Sequence, residues 1–287
     1  MIGVKNLVKR YGSFVAVDHL DFTVERGSIC GFLGPNGAGK STTMNMLTGY
    51  LAPTSGTVTI DGFDIQEEPR EARRRIGYLP EIPPVYLDMT PEEYLAFAGE
   101  LKGVGRGGTL GIGETGAGVV SVKGRGAGSS RRAMLRAEVE RVMEAVGITS
   151  MGRRLIRNLS KGYRQRVGFA CALLGDPEVI ILDEPTVGLD PRQITEIRDL
   201  IRSLGGSHTV ILSSHILSEV SAVCDHILIL SKGKLVARDT PENLTRRMQR
   251  TNVYDLLVDG EPEQLKSLLG QAEGLLALET GQDPSGQ

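Results

Sequence analysis

The sequence predicts an α/β fold in which a largely parallel sheet is covered by helices. From residue 179 onwards, short apolar runs alternate with helical patterns, a rhythm that is typical of parallel sheets. The first 65 residues are instead rich in strands, which favours an antiparallel β subdomain. Between roughly residues 68 and 174 the pattern becomes helical, and this indicates an inserted α-helical subdomain.

The elements of the first part follow from alternating apolar residues and turn signals. Strands are predicted at residues 4–7, 14–17, 20–24, 28–33 and 57–60, the last ending in an Asp61-Gly62 turn. A glycine-rich loop at residues 34–39 separates the fourth strand from a helix at residues 40–48. The loop therefore joins a strand directly to a helix.

The helices of the middle part carry start signals. One helix is predicted to begin at Pro91 after Thr90, one to span residues 131–146, and one to run to residue 174 behind the capping residue Ser160. Residues 103–130 differ, because they contain 11 glycines in 28 residues and no apolar periodicity. We predict a flexible loop there, since ordering glycine is costly in backbone entropy.

The last part supplies the strand–helix alternation. Strands are predicted at residues 179–183, 209–213 and 227–230, and helices at 191–204 and 216–224. After residue 240, a helix (241–250), a strand (253–258), a helix (262–269), a weaker strand (274–278) and a loose tail (281–287) predict a small C-terminal α/β appendix. The predicted domains are thus 1–240, with a helical subdomain at about 82–175, and 241–287.

Composition excludes several classes of protein. The 33 basic and 35 acidic side chains give a net charge of −2, which carries no global signal for nucleic acid or an anionic membrane surface. Apolar runs fall far short of the roughly 18 residues of a spanning helix, and the N-terminus does not resemble a secretory signal. The three cysteines lack C-x-x-C spacing, which favours buried, reduced thiols in a cytosolic protein.

Residues 34–41, Gly-Pro-Asn-Gly-Ala-Gly-Lys-Ser, match the phosphate-loop pattern G-x-x-x-x-G-K-[ST] in its strand–loop–helix context. Backbone N–H groups of such a loop surround phosphates, Lys40 reaches the outer phosphates, and the Ser41 hydroxyl can bind Mg²⁺. This predicts a P-loop NTPase core. The residues expected to hold the nucleotide here are Gly34, Pro35, Asn36, Gly37, Ala38, Gly39, Lys40, Ser41 and Thr42. Residues 113–118 imitate the loop but lack the lysine.

Two adjacent carboxylates, Asp183 and Glu184, end the buried strand at residues 179–183. Ligands of open α/β sheets bind at such carboxyl ends. Asp183 is suited to hold the Mg²⁺ shell and Glu184 to polarise an attacking water. A single carboxylate at the end of a strand more often serves only to interact with solvent. The presence of the phosphate loop favours a functional role for this pair.

These motifs resemble those of the ABC ATPases, in the order of that family. The matching segments are the signature Leu-Ser-Lys-Gly-Tyr-Arg-Gln-Arg (159–166), the D-loop Gly-Leu-Asp-Pro (188–191), His215 at the switch position and Tyr11-Gly12 at the adenine-stacking A-loop. With Ile-Gly-Tyr-Leu-Pro-Glu (76–81), the chain resembles ATP-binding subunits of bacterial ABC-2 type transporters, including drug-export, gliding-motility and copper-processing relatives.

The resemblance implies a mechanism and partners. Two copies would clasp two ATP molecules head to tail, with Ser160, Gly162 and Asp190 completing the site of the opposite copy. Tyr11 would stack on adenine, Glu184 would act as base, and His215 would contact the γ-phosphate. The partner would be a separate transmembrane permease, used for export, with this chain in the cytoplasm on the inner face of the cell membrane and no nucleic acid bound.

At three places the sequence departs from the family pattern, and these departures affect which residue roles the resemblance implies. Glu81 stands in place of the usual Q-loop glutamine; its carboxylate can coordinate Mg²⁺ and position the γ-phosphate, but it cannot donate a hydrogen bond. Lys161 and Tyr163 replace the usual glycine and glutamine of the signature, which leaves Ser160 and Gly162 as its contacts. The glycine-rich run is the third departure.

Two other functions stay open at this point. A soluble ABC ATPase acting on nucleic acid or ribosomes would typically have a second cassette or a coiled-coil insertion, and the sequence shows neither. A hydrolysis-deficient nucleotide sensor would fit the altered Glu81, but Glu184 and His215 argue against it. A GTPase would require an Asn-Lys-x-Asp motif, which this sequence lacks.

Overall fold

Two sheets and the helices around them form the part of the chain that the structure, a computed structural model, describes: residues 1–105 and 127–249. The strands are β1 (Ile2–Tyr11), β2 (Phe14–Val24), β3 (Ile29–Leu33), β4 (Ser55–Ile60), β5 (Phe63–Asp64), β6 (Ile76–Leu79), β7 (Val179–Leu182), β8 (Thr209–Ser214), β9 (His226–Ser231) and β10 (Lys234–Asp239). The helices are α1 (Lys40–Leu47), α2 (Pro69–Arg74), α3 (Pro91–Lys102), α4 (Ala127–Ala145), α5 (Lys161–Leu173), α6 (Pro191–Leu204), α7 (Leu217–Ser221) and α8 (Pro241–Gln249), with short 3₁₀ turns at Thr149–Met151 and Ile156–Asn158.

The larger sheet has six strands in the order β10-β9-β3-β8-β7-β6. Its pairs are parallel except for β10 with β9. The smaller sheet is antiparallel, in the order β2-β1-β4-β5. Because β3, β8 and β7 are neighbours and parallel, their carboxyl ends lie side by side, where open α/β sheets bind ligands.

Strand β7 shows how the larger sheet is buried. All four of its residues, Val-Ile-Ile-Leu, are buried. Ile180 and Leu182 belong to a core shared with α3, α4 and α5, whereas Val179 and Ile181 belong to a core shared with the smaller sheet and α1. Successive side chains of a strand point to opposite faces, so a strand covered on both sides reads as a continuous apolar run.

The predicted helix starts are confirmed by their caps. Thr90 and Glu93 form a reciprocal capping box at α3, with Pro91 in the first turn. Ser160 caps α5 and Asp190 caps α6, each accepting a hydrogen bond from a backbone N–H of the first turn. These side chains satisfy N–H groups that have no partner inside the helix.

The structure corrects several element boundaries. The region from residue 68 to 174 is not entirely helical, because Ile76–Leu79 is strand β6 at the sheet edge. Strands β5 and β10 were not predicted, and they are stabilised by pairing with β4 and β9. Helix α4 begins at Ala127, so the last four residues of the predicted loop 103–130 are helical. Residues 106–126, with the imitation loop at 113–118, lie outside the described residues.

The chain divides into two compact units, Met1–Thr245 and Arg246–Gln287. Helix α8 is described to Gln249, and the elements predicted at 253–258, 262–269, 274–278 and 281–287 lie outside the described residues. The domain boundaries therefore stay predictions. None of the helices that the structure describes is long and apolar enough to cross a membrane. The three cysteines are free, and burial raises the pKa of Cys30 to about 12.

Candidate active site

A pocket of about 400 Å³ opens at the carboxyl ends of β3, β7 and β8. Three parts of the fold contribute to its wall: the hairpin between β1 and β2, the glycine-rich loop with the start of α1, and segments that follow β6, β7 and β8. The lining residues are Tyr11, Phe14, Ala16, Pro35, Asn36, Gly37, Ala38, Gly39, Lys40, Ser41, Thr42, Glu81, Glu184, Val187 and His215. Motifs that are far apart in sequence thus meet in one cavity.

The glycine-rich loop is shaped by its contact with the smaller sheet. Gly39, the N-cap of α1, has φ of 101°, a conformation that side chains disfavour. A Cβ at this position would lie 2.7 Å from the carbonyl oxygen of Ala16. The loop can therefore pass close to β2 and still present the start of α1 to the pocket. Free N–H groups and the helix dipole make this a favourable place for an anion.

Lys40 is held at the wall of the pocket although only 5% of its surface is exposed. Its Nζ donates hydrogen bonds to the carbonyl oxygens of Gly34 at 2.6 Å and Pro35 at 3.3 Å. The same atom lies 3.4 Å from Oε1 of Glu184. Since a buried ammonium needs such partners, these contacts fix a positive charge beside the loop.

Glu184 has an unusual backbone conformation. Its φ is 46°, in the left-handed region that a residue other than glycine seldom adopts. Its backbone N–H donates to Ser213 Oγ at 2.9 Å, which stabilises the turn after β7. His215 Nδ1 lies 3.0 Å from Oε2 of Glu184. The carboxylate consequently sits between Lys40 and His215, and strain of this kind is concentrated at functional sites.

Oxygen atoms suited to a hard cation lie next to this carboxylate. Ser41 Oγ donates to Asp183 Oδ1 at 3.4 Å, and Ser213 Oγ donates to the same oxygen at 2.6 Å. Within the described residues, no group of three or more His, Cys, Asp or Glu side chains could hold a metal ion by itself. The pair of Ser41 and Asp183 nevertheless fits Mg²⁺, which commonly takes one or two protein ligands and completes its shell with phosphate oxygens and water. Glu81 lines the same pocket with its side chain exposed.

Two aromatic rings stand at the hairpin end of the pocket. Tyr11 and Phe14 are paired across the antiparallel β1–β2 ladder, which puts their side chains on one face of the hairpin. They are 51% and 64% exposed. The Nζ of Lys9 lies 5.3 Å from the centre of the Tyr11 ring. Exposed aromatic faces are suitable platforms for a planar base.

The remaining predicted residues lie in a second cluster, at the starts of α5 and α6. Ser160 is exposed and accepts a hydrogen bond from the N–H of Tyr163 at 3.4 Å, while Asp190 accepts one from the N–H of Gln193 at 2.9 Å. A Cβ at Gly162 would collide with the Gln193 side chain, so the two helix starts pack closely. None of the described residues Ser160, Gly162 and Asp190 lines the pocket.

The structure thus brings most of the predicted residues together. Gly34 and Asp183 contact the pocket residues Lys40 and Ser41 without lining the cavity themselves. The sequence analysis missed Phe14, Ala16 and Val187 in the wall and Ser213 behind it. Phe14 could have been suspected from its aromatic side chain three positions after Tyr11, whereas Ser213, two positions before His215, carries no distinctive pattern.

Comparisons with known proteins agree with these features. A family model described as ABC transporter matches residues 17–187. The bacitracin transport ATP-binding protein BcrA of Bacillus licheniformis is 37% identical over 258 residues, which cover 89% of this chain and 75% of that protein. A probable multidrug ABC transporter ATP-binding protein of Escherichia coli K12, YbhF, is 36% identical over 245 residues, covering 85% of this chain but only 38% of that protein. A solved structure of an ATP-binding subunit of an ABC transporter superposes with a TM-score of 0.67 at 27% identity, covering 94% of this chain and 100% of that one.

Proposed function

The chain belongs to the ABC transporter family as an ATP-binding subunit, and we propose that it hydrolyses ATP to power export through a separate transmembrane permease. The observation that carries this proposal is the position of Glu184 between Lys40 and His215, at the edge of a phosphate loop. A pocket that only stored a nucleotide would not need a carboxylate in this place. The names of the relatives, which include bacitracin and multidrug transporters, support export.

The residues of the pocket that were predicted from the sequence each have a proposed part in nucleotide binding or hydrolysis. The N–H groups of the loop and the ammonium of Lys40 bind the phosphates and balance the charge that develops on them. Glu184 accepts the proton of the attacking water as the water oxygen bonds to the γ-phosphorus, while the bond from that phosphorus to the β–γ bridging oxygen breaks and ADP leaves. His215 orients the carboxylate and the γ-phosphate. Tyr11 stacks on the adenine ring, and the other loop residues surround the phosphates.

Ser41 and Asp183 are the residues that would hold Mg²⁺ with the nucleotide. The bound ion neutralises charge on the phosphate oxygens. Ser213 donates to Asp183 Oδ1, so it keeps the carboxylate oriented toward Ser41. Glu81 stands in the same wall, where its carboxylate would add an oxygen ligand or position the water, at the cost of extra negative charge beside the triphosphate.

A second copy of the chain would complete the site. Ser160, Gly162 and Asp190 lie away from the pocket of their own chain, and Ser160 stands exposed at the start of the 13-residue helix α5. A helix start of this kind offers N–H donors to an anion, here the γ-phosphate held by the other copy. ATP binding would close the homodimer and hydrolysis would open it. That motion would drive the permease, with this chain on the cytoplasmic face of the membrane.

The two rival functions are not favoured. A soluble ATPase acting on nucleic acid or ribosomes has no support from the matched transporter subunits. A hydrolysis-deficient sensor is not favoured, because it would not require the 3.0 Å contact between His215 Nδ1 and Glu184 Oε2 beside the phosphate loop.

Replacement of the proposed base tests the function directly. We expect Glu184→Gln to bind ATP as the wild type does but to lose about 10²- to 10⁴-fold in kcat, because the amide cannot accept the proton. Steady-state phosphate release and equilibrium nucleotide binding measure the two effects. Glu178→Gln is a matched control, since Glu178 is exposed at the opposite end of β7, and it should keep full activity. Full turnover in Glu184→Gln would overturn the role given to Glu184.

A further inference from the structure

A buried carboxylate outside the pocket joins the two loops that carry Glu184 and His215. Glu219 lies on α7 and is 8% exposed. Its Oε2 accepts a hydrogen bond from Thr186 Oγ1 at 2.7 Å and another from Ser214 Oγ at 3.0 Å. Thr186 follows Glu184 by two residues, and Ser214 directly precedes His215. One oxygen atom therefore links both loops.

Because this link is buried, its hydrogen bonds are strong and the loss of one partner leaves a buried polar group unpaired. Thr186 and Ser214 are 6% and 1% exposed, so water does not compete for their hydroxyl groups. Within residues 1–105 and 127–249, the Glu219 side chain forms no ion pair, and it accepts hydrogen bonds from these two hydroxyls. A buried carboxylate without a cation depends on such donors. Ser214 Oγ also accepts from the N–H of Ile216 at 3.1 Å, which ties the segment after His215 into the same network.

We propose that Glu219 is a positioning residue for ATP hydrolysis. By holding Thr186 and Ser214 on one oxygen, it sets the relative position of the two loops and thereby the 3.0 Å distance between Glu184 Oε2 and His215 Nδ1. Glu219 does not line the pocket, so it acts through these two residues and not on the nucleotide. The inference rests on the proposed function, because it assigns Glu219 a part in that hydrolysis.

The position of Glu219 predicts that its replacement lowers kcat but leaves KM for ATP unchanged. The phosphate loop and Tyr11 bind the nucleotide, and Glu219 contacts neither, so its loss should leave KM for ATP and nucleotide affinity near the wild-type values. The geometry of Glu184 and His215 governs the chemical step, so kcat should fall. A residue that served only the packing of α7 would change thermal stability without this separation.

Two substitutions of similar size test the proposal. Glu219→Leu removes the acceptor, and we expect kcat to fall about 10- to 100-fold, the size of effect that misplacing a reacting group can have. Glu219→Gln keeps an acceptor oxygen for both hydroxyls, and its kcat should exceed that of the Leu variant by about tenfold. Equal kcat values in the Leu variant and the wild type would overturn the proposal. So would equal losses in the Leu and Gln variants.

A second pair of variants tests the link to the Glu184 loop without changing α7. Thr186→Val removes one hydrogen bond at constant shape, and kcat should fall in the same direction as in Glu219→Leu. When Thr186→Val is added to Glu219→Leu, no further loss is expected, because the bridge is already absent. Additive losses would contradict a shared role.

Matched controls separate this inference from general destabilisation and from failure of the proposed function. Glu138 is another buried glutamate, on α4, bonded to Arg141 and the N–H of Gly175. Glu138→Leu should lower the melting temperature and leave kcat unchanged at temperatures where the protein is folded, and an equal kcat loss there would overturn the proposal. If the wild type itself hydrolyses no ATP, the proposed function fails; if it does and Glu219→Leu matches it, only this inference fails.

Discussion

Tyr11 is the side chain that we propose to stack on the adenine ring of the nucleotide. Its ring is 51% exposed at the hairpin end of the pocket, next to the ring of Phe14 and beneath the ammonium of Lys9. About half of the Tyr11 surface is left open by the fold, so a ligand can still cover it. An adenine ring placed here would find a flat apolar surface with a cation nearby.

We predict that Tyr11→Ala weakens ATP binding by about 1–3 kcal/mol, the value of one base-stacking contact. This corresponds to about 5- to 150-fold in Kd. Titration with a fluorescent ATP analogue measures the change, and Tyr11→Phe is the control that keeps the ring. Unchanged affinity in Tyr11→Ala, with wild-type affinity in Tyr11→Phe, would show that the base does not stack there.

The residues proposed to bind phosphate could be predicted from the sequence because their chemistry is local. Gly39, Lys40 and Ser41 are adjacent, and their spacing alone specifies a loop, a charge and a hydroxyl. The contacts of Ser213 and Glu219 could not be predicted in this way, because serine and glutamate are common residues and neither belongs to a motif of fixed spacing. Only the strand order, which places β8 between β3 and β7, brings Ser213 against Asp183.

At the level of elements, the junction of α3, α4 and α5 is held by charged side chains, of which Glu138 is buried. Lys102 Nζ donates to the carbonyl oxygens of Cys171 at 2.9 Å and Leu174 at 3.3 Å, at the end of α5. Burial lowers the pKa of Lys102. Glu138 accepts two hydrogen bonds from Arg141, each of 2.8 Å, and one of 2.7 Å from the N–H of Gly175. The junction lies at the end of α5 that is remote from Ser160, so it holds the three helices together without contacting the second cluster.

Glu138 predicts a pH dependence of stability. Burial raises the pKa of its carboxyl group, but the hydrogen bonds from Arg141 and Gly175 and the charges of Arg141 and Lys102 outweigh this, so the pKa is lower than usual. A depressed carboxyl pKa stabilises the fold above the ordinary value of about 4.3, and this contribution is lost as the pH falls through the lower, folded-state pKa. The free energy of unfolding should therefore decrease at acid pH, as the Glu138 carboxylate becomes protonated.

We expect Glu138→Gln to lower the free energy of unfolding by about 1–3 kcal/mol at pH 7. The difference from the wild type should shrink as the pH falls below about 4. Urea unfolding at a series of pH values measures both, and Glu144→Gln, an exposed site on the same helix, is the control. A constant difference between wild type and Glu138→Gln at all pH values would contradict the assigned role of the charge.

Helices were more predictable than short strands for physical reasons. Thr90, Ser160 and Asp190 are cap residues whose effect is confined to one turn, and each helix begins where they indicate. Strand β5 has only two residues, and β6 (Ile-Gly-Tyr-Leu) lacks the continuous apolar run by which the equally short β7 was recognised. Their conformation depends on neighbours that are distant in the chain.

At the largest scale, the main feature of the described residues is the separation of two surfaces that we propose to be functional. The pocket lies at the carboxyl ends of the larger sheet, whereas Ser160, Gly162 and Asp190 lie at the starts of α5 and α6. Motif order in the sequence predicted both groups and, through the resemblance, their meeting across a dimer. The physical reason for a dimer is that an exposed helix start has N–H groups and a dipole to offer to an anion.

The proposed mechanism requires that two copies of the chain share a nucleotide, and the molecular mass of the protein in solution tests this requirement most directly. We would measure Glu184→Gln by sedimentation with saturating ATP and Mg²⁺, alone and combined with Ser160→Asp or Ser160→Asn. Both substitutions keep a good N-cap, but aspartate brings a negative charge toward the triphosphate. We predict a dimer for Glu184→Gln and for its Asn combination, and a monomer for its Asp combination. A Glu184→Gln protein that stays monomeric with bound ATP, or an Asp combination that dimerises equally well, would contradict the account.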